Sequence, residues 1–192
     1  MDYEIDEGGG AFYGPKIDLK LFDSAGKEWQ CSTIQFDFNL PNRFNMKYTG
    51  KDGKQHVPSV IHRALFGSVE RFLSMLIEHY NGDFPLWFTP VQFAVVPINP
   101  THNNYCEKIV NELKKRGLRV EADYSENNMR AKIKFFEIQK IPYILVIGDK
   151  DITQNGFSVR SRTHGNLGMM DINTLEKHIR DELEMGVPQY IQ

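Results

Sequence analysis

Cysteine is scarce in this chain: there are two among 192 residues, Cys31 and Cys106. They share no motif spacing, which excludes a disulfide-stapled scaffold and fits free thiols in a reducing compartment. Long apolar runs are missing as well. None approaches the roughly 18–20 residues of a membrane span, and no secretory signal opens the chain, so the cytoplasm is the expected compartment. Charge of one sign is lacking: 23 Lys and Arg against 25 Asp and Glu leave a net charge of −2. No overall field therefore draws the chain to nucleic acid, and any RNA contact has to come from a local patch. There is no internal repeat, no low-complexity tract and no phosphate loop. Gly8-Gly9-Gly10 has neither the spacing nor the preceding strand of a nucleotide fingerprint, which argues against a metabolic nucleotide-binding protein.

What is present reads as globular. Hydrophobic residues make up 41% and charged residues 25%, unlike a disordered chain. The length suits one large domain or two small ones.

From Lys16 to Phe38 the pattern alternates with period two, the mark of half-buried strands. Ile17, Leu19 and Leu21 point one way and Lys16, Asp18 and Lys20 the other. Asp23-Ser24-Ala25-Gly26 supplies a turn, and Lys27 to Asn39 is the returning strand. Cys31, Thr33 and Gln35 share one face of that strand. Such a row suits the floor of a polar ligand site, and equally a solvated outer face. Pro41 to Tyr48 predicts another short strand and Gly50 to Pro58 a polar turn. Val60-Ile61-His62 leads into a helix with an apolar stripe of Val69, Phe72, Leu73, Leu76, Ile77 and Tyr80. Gly67 and Ser68 leave space beside Arg71, whose planar fork suits a phosphate; a surface pair with Glu70 or Glu78 is the alternative.

Phe84 to Pro90, with prolines among aromatic residues, reads as a junction between domains 1–88 and 89–192. The second half alternates strands (91–98, 118–122, 142–147, 156–162) with helices (103–116, 129–140, 172–185), predicting a largely parallel sheet covered on both faces. Lys132, Lys134 and Lys140 read as a basic helix face or, equally, a solvated one.

Three segments carry a family likeness: Gly10-Ala11-Phe12-Tyr13-Gly14-Pro15-Lys16, Trp29-Gln30-Cys31-Ser32-Thr33-Ile34-Gln35 and His62-Arg63-Ala64-Leu65-Phe66-Gly67-Ser68-Val69-Glu70-Arg71-Phe72. In this order and spacing the chain resembles threonyl-tRNA synthetases along essentially its whole length. The resemblance implies an α+β antiparallel class II catalytic-domain fragment, followed by an α/β mixed-sheet anticodon-binding domain. It also implies threonine–tRNA ligation: ATP-dependent activation of threonine and transfer to tRNA(Thr).

Position by position, the resemblance implies Lys16 and Arg71 as catalytic cations and Tyr13, Cys31 and Gln35 as threonine-pocket residues. Gln30, Thr33, Ser68 and Arg71 match ATP neighbours, although strand parity puts Gln30 on the opposite side unless a bulge intervenes. His62 matches a ligand of a catalytic Zn2+, and Mg2+ would accompany ATP. In the second domain Lys150, Asp151, Arg160 and Arg162 fall at anticodon-binding positions, the family more often having glutamate at the Asp151 place. Leu65 stands where the generic third motif has glycine.

The family's first two class motifs, its other zinc ligands and its dimer-forming motif lie upstream in the family, and neither they nor its editing domain are found before residue 10 here. The expectation is a truncated piece or proteolytic product of a homodimeric enzyme, inactive alone. The competing reading is a non-catalytic module that binds anticodon-like RNA.

Overall fold

In the computed structural model, which describes residues 3–23 and 25–184, the period-two run forms a hairpin. Strand β1 (Lys16–Phe22) pairs antiparallel with β2 (Glu28–Asp37). Between them the Asp23 carboxylate accepts from the amides of Ala25 and Lys27 at 3.0 and 2.8 Å and from the Trp29 indole at 2.7 Å. Ser24, within the predicted turn, and Met185, the predicted end of the last helix, lie outside the described residues.

Two expectations fail beyond the hairpin. The predicted strand at Pro41 is a short helix, α1 (Asn39–Arg43). The Asp37 carboxylate accepts from the amides of Asn39 and Leu40 at 2.7 and 3.0 Å, satisfying donors that a first helical turn leaves open. A minimal hairpin, β3 (Tyr48–Thr49) with β4 (Gln55–His56), begins just before the predicted polar turn and ends within it. His62 does not lead a helix. It lies in β5 (Val60–Ala64), which pairs antiparallel with β2 and completes a three-stranded sheet ordered β1-β2-β5.

Helix α2 (Val69–Tyr80) follows, capped by the Ser68 hydroxyl, which accepts from the Arg71 amide at 3.2 Å. Its apolar stripe exists, yet no residue of α2 is fully buried. Val69, Leu73 and Ile77 of that stripe are exposed.

The chain divides into two compact units between Gly82 and Asp83. In the second, β6 (Phe93–Pro97) leads through a 3₁₀ turn (Pro100–His102) to α3 (Asn103–Lys115), then β7 (Val120–Ala122) and α4 (Met129–Ile138). Next come β8 (Tyr143–Ile147), α5 (Asp149–Thr153), β9 (Phe157–Ser161), β10 (Gly165–Met170) and α6 (Ile172–Glu184). The strands order as β10-β9-β8-β6-β7. β7, β6 and β8 run parallel, while β9 and β10 add antiparallel, giving a mixed sheet.

The runs Phe-Ala-Val-Val-Pro and Tyr-Ile-Leu-Val-Ile are buried throughout, as central strands covered on both faces require. One apolar layer joins Phe93, Val95, Leu113, Tyr143, Leu145, Phe157, Leu175 and Ile179. The other joins Ala94, Val96, Ile133, Phe136, Ile144 and Val146.

The junction segment is tied to this unit by two arginines. Arg119 donates to the Thr89 and Trp87 carbonyls at 2.9 and 2.8 Å. Arg162 donates to the Lys140 and Phe84 carbonyls at 2.5 and 3.0 Å, with its Nε 3.6 Å from the Asp83 carboxylate. No described helix is long and apolar enough to cross a membrane.

Candidate functional site

The register of the first sheet decides which residues share a face. Lys16 pairs with Gln35, Asp18 with Thr33, Gln35 with His62 and Asp37 with Val60, so Lys16, Asp18, Thr33, Gln35, Asp37 and His62 share one side. Ile17, Ile34, Phe36 and Ile61 take the other. The polar row is therefore a floor that continues over all three strands.

Parity alone sends Gln30 to the far side, and a bulge brings it back. The register passes from Leu19↔Ser32 to Lys20↔Gln30, leaving Cys31 unpaired. Past that extra residue the alternation inverts, and the Gln30 Nε2 donates to Asp18 Oδ1 at 2.7 Å. Cys31, expected beside Thr33 and Gln35, is instead the residue left out of register. It is buried, with its thiol 3.6 Å from the Met75 sulfur of α2.

Asp18 gathers the floor's first cluster. Its Oδ1 also accepts from the Thr33 hydroxyl, and its Oδ2 lies 2.7 Å from the Lys16 ammonium. Burial pushes the Asp18 carboxyl up, but the hydrogen bonds from Lys16 and Thr33, the Lys16 charge and the Gln30 amide outweigh it and hold the group below the ordinary carboxylate range.

A second cluster lies at the β5 side. The Tyr13 hydroxyl donates to Gln35 Oε1 at 2.6 Å, and its ring stands edge-on to His62 with centroids 5.8 Å apart. His62 Nε2 is 2.8 Å from Asp37 Oδ2, a carboxylate with no exposed surface. Burial raises Asp37; the hydrogen bond from His62 and the Leu40 and Asn39 amides lower it further than burial raises it.

Two glycines set the spacing. A Cβ at Gly14 would fall 2.0 Å from the Phe36 carbonyl oxygen. Only a residue without one lets the Tyr13–Pro15 loop run alongside β2, where Phe38 N–H donates to Tyr13 O and Phe36 N–H to Pro15 O, both at 3.0 Å. Gly67, at φ +69°, would place a Cβ 3.0 Å from Cys31 O and 3.4 Å from Gln30 O. The loop before Ser68 and Arg71 thus rests on the bulge itself. Arg71 is exposed and forms no ion pair with Glu70 or Glu78 among the described residues.

The structure joins Tyr13, Lys16, Gln30, Thr33, Gln35 and His62 on one floor, and Gly67, just before the Ser68 cap of α2, rests on the bulge of β2. Sequence reading missed Asp18 and Asp37 as the carboxylates that hold it. Asp37 had a usable signal, since it continues the odd-numbered face of Thr33 and Gln35. A metal site is incomplete here: no group of three or more His, Cys, Asp or Glu among the described residues could hold an ion. His62, steadied by Asp37 as metal-binding imidazoles usually are, offers one ligand.

In the second unit the four sequence candidates separate. Lys150 and Arg160 are exposed, the latter 3.9 Å from the Glu137 carboxylate. Asp151 is buried; its oxygens accept from the Gly148 amide at 2.9 Å and the Ser158 hydroxyl at 2.8 Å. Arg162 spends its donors on the Lys140 and Phe84 carbonyls described above. Ser158 and Arg160 share a face of β9, so Asp151 sits behind Arg160's neighbour. Lys132, read as part of a basic face, is turned inward and donates to the Asp123 carbonyl at 3.1 Å. Its apolar stem covers the core while its head finds an acceptor.

Comparison with known proteins divides the chain at the same place. Residues 3–80 match the family model for the tRNA synthetase class II core domain (G, H, P, S and T), and residues 92–182 that for the anticodon binding domain. The threonine–tRNA ligase of Aquifex aeolicus is 52% identical over 183 residues, covering 95% of this chain and 29% of that protein. That of Borreliella burgdorferi strain ZS7 is 52% identical over 179 residues, 93% of this chain and 31% of that protein. The chain thus spans about 30% of the length of the curated relatives it matches. Among solved structures, the RNA binding domain of threonyl-tRNA synthetase from Cryptosporidium parvum Iowa II superposes with a TM-score of 0.83 at 37% identity, over 96% of this chain and 46% of that one. A threonyl-tRNA synthetase, ThrRS-1, described as putative, from Aeropyrum pernix gives 0.62 at 27% identity, over 93% of this chain and 44% of that one. Matched in both halves and in order along these relatives, the chain belongs to the threonyl-tRNA synthetase family.

Proposed function

We propose that the chain serves threonine–tRNA ligation, its first unit supplying part of the active site and its second the anticodon contact. The carrying observation is the floor, where Tyr13, Lys16, Gln30, Thr33, Gln35 and His62 share one face. In this reading a threonine carboxylate oxygen attacks the α-phosphate of ATP and pyrophosphate leaves. The tRNA 3′ hydroxyl then attacks the threonyl carbonyl and AMP leaves. Lys16 offsets charge on the reacting carboxylate, Arg71 takes the γ-phosphate, and Tyr13 and Gln35 orient threonine. Gln30, Thr33 and Ser68 lie along the nucleotide, and Cys31 backs the threonine pocket from beneath. Mg2+ enters with ATP. His62 would give one imidazole to Zn2+, which when bound discriminates the threonine hydroxyl; the described residues supply no further ligand, so no step is routed through it. Cytoplasmic residence and a homodimer belong to the same reading.

A chimaera tests it: the whole of this chain joined to the preceding part of the Aquifex aeolicus relative. Threonine-dependent ATP–pyrophosphate exchange is expected there and absent from the chain alone. Lys16→Ala or Arg71→Ala should lower exchange by about a hundred- to a thousandfold. A folded chimaera without threonine-dependent exchange refutes the proposal.

A second reading has its own support. The second unit carries a complete core, and the solved relative with the TM-score of 0.83 is itself described as an RNA binding domain. As a binding module, the chain holds the threonine anticodon stem-loop in a salt-dependent way, with Lys150 and Arg160 facing the RNA. Arg160→Ala weakens that binding and His62→Ala does not.

A further inference from the structure

We infer that Asp18 is a positioning residue, the hub that fixes Lys16, Gln30 and Thr33 relative to one another on the floor. This rests on the catalytic reading above and deepens it.

Both carboxylate oxygens are occupied. Oδ1 accepts from the Gln30 amide at 2.7 Å and from the Thr33 hydroxyl, and Oδ2 meets the Lys16 ammonium at 2.7 Å. The Asp18 side chain is 15% exposed and that of Lys16 26%, so this charged pair is partly shielded, while Gln30 reaches it from an exposed position. With no free oxygen turned outward, Asp18 is a holder of other groups rather than a ligand of substrate. The three groups it holds come from two strands and from both sides of the bulge, and a shared acceptor converts three flexible side chains into one fixed array. Gln35 is held separately by Tyr13 and serves as an internal reference.

Two variants separate the roles. Asp18→Asn keeps an oxygen acceptor for Gln30 and Thr33 but removes the charge that holds Lys16. Asp18→Ala releases all three. Side-chain NMR relaxation on the whole chain should show Lys16 alone gaining mobility in Asp18→Asn. In Asp18→Ala, Lys16, the Gln30 amide and the Thr33 methyl should all gain it, with Gln35 unchanged in both. If Asp18→Ala loses the first unit's amide pattern, Asp18→Asn and Asp18→Glu carry the test, the latter retaining Lys16.

In the chimaera, Asp18→Ala should lower kcat about ten- to a hundredfold and raise KM for ATP, with the number of active sites by burst titration unchanged. Asp18→Glu should restore part of the loss, and Asp52→Asn, on the exposed β3–β4 hairpin, should match the unmutated protein. Unchanged mobility at Lys16, Gln30 and Thr33 in Asp18→Ala overturns the inference. So does a loss of exchange that merely follows a loss of active sites. An inactive chimaera together with the expected NMR pattern sinks the catalytic reading and leaves the hub standing; an active one indifferent to Asp18 does the reverse.

Discussion

The two units are ordered by different forces. The second has apolar layers on both faces of a five-stranded sheet, with Phe93, Leu113, Leu145, Phe157, Leu175 and Ile179 without exposed surface. The first has three strands and a long helix with no buried residue, and Ile17, Ile61 and Val69 are more than half exposed. Its best-held groups are polar: Asp37 with His62, Asp18 with Lys16, Gln30 and Thr33, and Tyr13 with Gln35. Hydrogen-bonded networks give definition but little net stability, about 0.5–1.5 kcal/mol per bond, whereas each buried large side chain contributes about 1.5–3 kcal/mol. The unit with the candidate site is the one less able to hold itself.

The sharpest test of that contrast is truncation. Phe157→Ala should destabilise the second unit by about 3–5 kcal/mol in denaturant unfolding, while Ile61→Ala should cost the first less than about 0.5 kcal/mol. Equal costs would break the comparison. Thiol labelling probes it without altering the core. Cys106 has no exposed surface and burial pushes its thiol up to about 12 against the opposing Lys132 charge. In mild denaturant Cys31 should react about a hundredfold faster than Cys106, read by mass spectrometry of the labelled peptides.

A third test splits two neighbours on the second unit. Arg162→Ala removes charged hydrogen bonds to two carbonyls and should cost about 1.5–3 kcal/mol. Arg160→Ala should leave the melting temperature within about 1 °C, since surface changes stay near zero, and act on RNA binding alone. The smallest effect is a pH dependence. Asp18 has a folded pKa below its unfolded value, so its contribution is complete above the unfolded pKa of about 3.9 and is lost as pH falls through the folded value. Amide protection factors at β1 and β2, taken relative to the intrinsic exchange rate at each pH, should fall on acidification into that window, and less so in Asp18→Asn.

Much of this was legible in the residues. The alternation in β1 and β2, the stripe of α2 and the buried runs of β6 and β8 reflect local periodicity, and periodicity survives folding. What failed depended on distant partners. Val60-Ile61-His62 looked like the approach to a helix because nothing local says that β2 offers an open edge. Residues 39–43 form a helical turn because Asp37 reaches forward to their amides, against the expectation of a strand at Pro41. β10 was hidden by Gly165 and Gly168, both at positive φ, and α5 by its five-residue length. In the floor, face-sharing along β2 was readable, but the bulge that inverts Gln30, the displacement of Cys31 and the hub at Asp18 arise only when β1 is laid alongside. Lys132 misled for a related reason, and the carbonyl partners of Arg162 were equally hidden: a cation's sequence neighbours do not reveal whether a carbonyl waits inside for it.

The contact at Gly67 sets a limit that no choice of side chains around the floor can relax. Two backbones approach closely there, a Cβ at Gly67 falling 3.0 Å from the Cys31 carbonyl oxygen, so the approach of the loop before α2 to the bulge is set by main-chain packing. Attempts to reshape the floor are free to vary Tyr13 or Gln35. One added methyl group at position 67 would stand 3.0 Å from the Cys31 carbonyl oxygen in a backbone conformation that side chains avoid, so the loop leading to Ser68 or the bulge would have to give by a few tenths of an ångström.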